Sequence, residues 1–120
     1  MSLQVSTLYR RGVVRPLDEN AAKELLSYCV ESSIRCEWLP ILDEHQFELK
    51  WKSGVFQAIS EACRVRLTDY DDVTIEPQAI GKAIEAVASV GECGDEAFKH
   101  SLRNLLIDAL RSGTGVLFVL

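Results

Sequence analysis

Four cysteines, two histidines and one run of carboxylates are the side chains of this 120-residue sequence whose types and spacing bear on chemistry. Cys29, Cys36, Cys63 and Cys93 lack the C-x₂-C spacing of structural zinc sites. Cys29 and Cys63 fall on the apolar faces of expected helices and Cys36 on the inward side of an expected strand. Buried thiols acting as small hydrophobes account for all three. Cys93, in Gly91-Glu92-Cys93-Gly94, precedes an expected helix start, a setting that lowers a thiol pKa. A nucleophile there needs a base, and the choices are His45, in an acidic turn, and His100, beside Lys99. Cys93 and His100 stand seven positions apart at one helix start, so they are near each other whatever the function. Surface histidines are the plainer reading. There is no G-x-S-x-G elbow and no glycine-rich phosphate loop. Ser112-Gly113-Thr114-Gly115 runs from a helix into a strand, the reverse of the order that cradles a phosphate.

The carboxylates are more informative. Asp69, Asp71, Asp72 and Glu76 fall within eight positions, with Tyr70 among them. The run lacks the glycine and the distal glutamate of a calcium loop. Paired carboxylates can serve a hydrolase, but a chain of this size leaves little room for the cleft. Two readings remain. The run is a solvated loop whose charges favour the start of the following helix, or it is a surface for a basic protein partner. On such a surface charge speeds encounter and the tyrosine supplies contact area. The candidate partner-binding set is Asp69, Tyr70, Asp71, Asp72 and Glu76, extended by Asp43 and Glu44 if their turn folds to the same end. No catalytic residue, metal ligand or cofactor site is expected.

These residues need elements to hold them. Residues 3–9 alternate Leu3, Val5, Thr7 and Tyr9 on one side, the period of a strand. Gly12 interrupts it and Arg15-Pro16 closes the connection. Asp18 is a good N-cap for a helix over 19–32, with Ala21, Ala22, Leu25, Leu26, Cys29 and Val30 on its apolar face. Ile34, Cys36 and Trp38 alternate as a short strand ended by Pro40, and 43–45 make a polar turn. Phe47, Leu49 and Trp51 alternate again, so the two runs predict a hairpin with both tryptophans facing the core.

Ser53 then caps a helix carrying Val55, Phe56, Ile59, Ala62 and Cys63. Residues 65–67 form a short extended piece and 68–72 an acidic loop. Pro77 opens a helix with Ile80, Ala83, Ile84 and Val87 inward. Gly91 and Gly94 bracket a break. Asp95 caps a last helix with Phe98, Leu102, Leu105, Leu106, Ala109 and Leu110 on the buried side, and Gly113 ends it. Residues 116–120, apolar without alternation, predict a strand covered on both faces. The expected order is β-α-β-β-α-α-α-β: one α+β domain over 1–120, a small mixed sheet packed by amphipathic helices.

Size and composition agree with one core. The net charge of −5, from 13 Lys plus Arg against 18 Asp plus Glu, disfavours nucleic acid and anionic membranes. Arg10, Arg11 and Arg15 are too few to reverse that. No apolar run approaches the ~18 residues of a membrane span, and the first residues lack the pattern of a signal peptide. The expected location is therefore the cytoplasm, where the cysteines stay reduced.

Size, acidity, a mixed α/β pattern and the lack of catalytic motifs together resemble the small immunity proteins of bacterial toxin systems, including contact-dependent growth inhibition. The stretches 37–40, 51–56 and 67–72 (EWLP, WKSGVF and LTDYDD) share that character. The resemblance covers the whole chain but supplies no motif that carries a functional residue across. It implies a non-catalytic inhibitor whose acidic surface covers the basic substrate site of a toxin such as a nuclease. Two alternatives from other classes stand beside it. One is an acidic secretion-type chaperone or homodimeric adaptor, and the other is a small enzyme with an unfamiliar site.

Overall fold

The computed structural model describes residues 3–5, 11–27, 34–68, 72–91 and 94–120. In chain order the elements are β1 (Leu3–Val5), β2 (Gly12–Pro16), α1 (Glu19–Ser27), β3 (Ile34–Pro40), α2 (Glu44–Lys52), α3 (Val55–Cys63), β4 (Asp72–Ile75), a 3₁₀ turn (Pro77–Ala79), α4 (Ile80–Ser89), α5 (Glu96–Ser112) and β5 (Val116–Val119). The strands form one five-stranded sheet in the order β1-β3-β2-β5-β4. Every pairing is antiparallel, where a mixed sheet was expected. The class is α+β.

Both faces of the sheet are covered, and the alternation within each strand divides the residues between them. Val13, Val116, Phe118 and Leu120 point into the larger core, which α2 to α5 cover. Val14, Leu117 and Val119 point into a smaller cluster with Cys36, Ala21 of α1 and the half-buried Trp38. That double covering is why β5 reads as an unbroken apolar run, and all four of its residues are buried. Phe56 centres the larger core: its ring lies 5.9 to 6.3 Å from those of Phe47, Trp51, Phe98 and Phe118. Contacts at these separations add to the burial of each ring.

The helix ends follow their expected chemistry where they are described. Asp18 Oδ1 accepts the Ala21 N–H at 2.7 Å, and Asp95 Oδ1 accepts the Phe98 N–H at 3.4 Å. Gly113 ends α5 in the left-handed conformation at φ 69°. Pro77 opens the 3₁₀ turn that leads into α4, whose Ile80, Ala83 and Val87 are buried as expected. Of the helix expected over 19–32, α1 covers Glu19–Ser27, and 28–33 lie outside the described residues. Likewise the strand expected over 3–9 is described at β1 only.

Several expectations need correction, the smallest being Leu110, expected on the buried side of α5 but 51% exposed. Residues 47–51 are not the second strand of a hairpin; they lie in α2. Asp43 caps that helix: its Oδ1 accepts the Gln46 N–H at 2.8 Å while Gln46 Oε1 accepts the Leu42 N–H at 3.1 Å. Together the two bonds satisfy two backbone donors at the start of the helix. It also puts Phe47 and Trp51 on one face, rings 5.9 Å apart, and turns Leu49 outward at 47% exposure. Residues 12–16, expected as a connection, are strand β2, central in the sheet between β3 and β5. Ser53 is not the N-cap of the next helix. It closes α2, and Gly54 in the left-handed region (φ 88°) caps α3. Asp72, expected at the end of a loop, starts the edge strand β4, and 65–67 carry no regular structure.

Helix α2 is tied to α5 by a partly buried ion pair. Lys50 Nζ lies 3.2 Å from Asp95 Oδ2 and 4.7 Å from the centre of the Phe98 ring. Among the described residues no helix is long and apolar enough to cross a membrane.

Candidate functional site

The sheet register decides which of the carboxylates belong together. Pro40 of β3 pairs with Gly12 of β2, Gly12 with Val119 of β5, and Val119 with Asp72 of β4. One row of paired residues thus crosses four strands and ends at Asp72 on the sheet edge. Asp43 and Glu44 follow β3 just beyond that row, so they and Asp72 occupy the same end of the sheet. Three strand spacings of ~4.8 Å put β3 and β4 about 14 Å apart there. Glu76 follows Ile75, whose partner is Val116, and so lies at the opposite end. It does not join the others. Asp69, Tyr70 and Asp71 lie outside the described residues.

Asp43 and Glu44 do not sit in a hairpin turn, because there is no hairpin. They are the cap and first residue of α2, both exposed. Glu44 Oε1 lies 2.7 Å from Arg11 Nη1. The same guanidinium donates from Nε to the Leu120 carbonyl at 2.8 Å and lies 4.4 Å from the centre of the Phe47 ring. Arg11 therefore fastens β2, α2 and the end of β5 to one another. A pair as exposed as this contributes at most ~1 kcal/mol through charge alone. Directly before Asp43 stands Leu42, 68% exposed, the most exposed large apolar side chain among the described residues. Leu42 was not singled out by sequence reasoning, and Arg11 was named there only as part of a small basic cluster. The readable signal was the D-x-x-Q spacing of Asp43 and Gln46, which marks a helix start and leaves Leu42 outside it.

Beside Asp72 an open groove of about 570 Å³ runs along β4, lined by Val65, Arg66, Thr68, Asp72 and Val73. It holds one carboxylate, one guanidinium and one hydroxyl, with neither a histidine nor a cysteine among its lining residues. That composition suits contact with a polar surface.

Of the other candidates, His45 directly follows Glu44 at this end, and His100, Cys36 and Cys63 sit on other elements. His45 is exposed on α2. His100 is exposed on α5, with its Nε2 3.2 Å from Asn104 Nδ2. Cys36 is buried in the smaller cluster. Cys63 is half-buried, 3.6 Å from the Ala79 carbonyl oxygen. Burial pushes its thiol up from the ordinary value, and Lys82 opposes this more weakly. Cys29 and Cys93 lie outside the described residues, and with Cys93 goes the geometry of a Cys93–His100 pair. Among the described residues no three His, Cys, Asp or Glu side chains gather as a metal site requires. Both tryptophans pack inward as expected, though from different elements. Trp51 lies on α2 against the larger core, and Trp38 on β3 donates from Nε1 to the Arg11 carbonyl at 3.0 Å.

No family model, no curated protein and no solved structure matches this chain.

Proposed function

We propose that this domain is a non-catalytic protein-binding module, an immunity-type inhibitor that neutralises a basic bacterial toxin in the cytoplasm by covering its active site. The observation that carries the reading is the register that brings Asp43, Glu44 and Asp72 to one end of the sheet, with the exposed Leu42 beside two of them. Asp43 and Glu44 next to an apolar side chain, with Asp72 farther along the same end of the sheet, suit a basic partner: the charges accelerate encounter and the apolar group adds contact area. The net charge of −5 acts in the same direction over longer range. A nuclease is the toxin class best matched, because an acidic surface mimics the charge of its phosphate substrate.

The test is capture on the immobilised domain from the native lysate, followed by purification of the captured protein. The expected result is a basic protein that forms a one-to-one complex by light scattering and loses its enzymatic activity when bound. The double variant Asp43→Asn with Asp72→Lys keeps a capping side chain on α2 and should weaken that complex at least ~10-fold, about 1.4 kcal/mol. Equal affinity of variant and native domain would remove the acidic end from the interface. Self-association alone, or capture of an unfolded client, would overturn the inhibitor reading in favour of an adaptor or chaperone.

A further inference from the structure

We draw no further inference here: the strongest candidate, the surface patch at the corner between β3 and α2 where the exposed Leu42 stands beside Asp43 and Glu44, belongs to the site already described, and nothing in the structure shows what covers its apolar part.

Discussion

At the scale of single residues, Gly12 is the position where the backbone leaves no choice. Its φ is 144°, and a Cβ there would overlap the Leu39 carbonyl oxygen and stand 2.7 Å from Trp38 Nε1. Strain and overlap act together, so Gly12→Ala should destabilise the domain by roughly 1–3 kcal/mol. A shift of the urea midpoint at unchanged slope measures this; an unaltered midpoint would contradict the β2–β3 pairing. Cys63 makes a second prediction. Because burial raises its thiol pKa, the folded state binds the thiol proton more tightly than the unfolded chain does. This contribution is fully present below the ordinary thiol pKa and is lost as pH rises through the folded value. Maleimide should therefore label Cys63 more slowly in the folded protein at neutral pH than in urea, and Cys63→Ala should flatten the alkaline fall in stability.

At the scale of elements, α2 is the segment whose local pattern and tertiary role disagree. Phe47, Leu49 and Trp51 alternate as a strand does, yet Phe47, Lys50 and Trp51 also recur at helical spacing. The two possibilities differ over Leu49, which a strand would bury with its neighbours and the helix exposes. Leu49→Gln should therefore change stability by no more than ~0.5 kcal/mol, whereas Phe47→Ala, at 5% exposure, should cost about 3–5 kcal/mol. Thermal or urea unfolding of the two variants measures the contrast, and a large loss in Leu49→Gln would restore the strand. Asp43→Ala removes the side-chain cap of α2 and should cost ~1 kcal/mol, visible as lost helicity in far-UV circular dichroism.

At the scale of the whole molecule, two ties at opposite ends of α2 hold it to its neighbours, one to the sheet and one to α5. Near its start, Arg11 joins Glu44, Phe47 and the Leu120 carbonyl. Near its end, Lys50 reaches Asp95, which also caps α5. Removing one member of a partly buried pair leaves the other short of a partner, so Asp95→Ala should lose both the cap and the pairing, at about 2 kcal/mol. Asp95→Ala combined with Lys50→Met should recover part of that loss, a coupling that a double-mutant cycle reads directly. If the acidic end of the sheet is the interface, association with the partner should slow as salt is raised from 50 to 500 mM, because screening removes the steering. A rate indifferent to salt would point to another face.

Much of the fold is determined by the sequence itself. The caps at Asp18 and Asp95, the Gly113 terminus, the stripes of α3, α4 and (Leu110 apart) α5, and the buried strand at 116–119 all follow from short-range rules. Each of these elements states its own boundaries within a few residues. The short strands β2 and β4 were not legible, because Gly12 and Pro16 in one and the acidic run leading into the other read locally as connections, and both are fixed by pairing with β5, far along the chain. Segment 44–52 satisfied two periodicities at once; the Asp43 cap and the aromatic contacts of Phe47 and Trp51 with Phe56 both favour the helix. The candidate site divides in the same way. Sequence located its carboxylates, since charge is a property of the residue. That Asp72 shares an end with Asp43 and Glu44 while Glu76 does not is a property of strand register, which is set by long-range pairing and exists only once the sheet has formed.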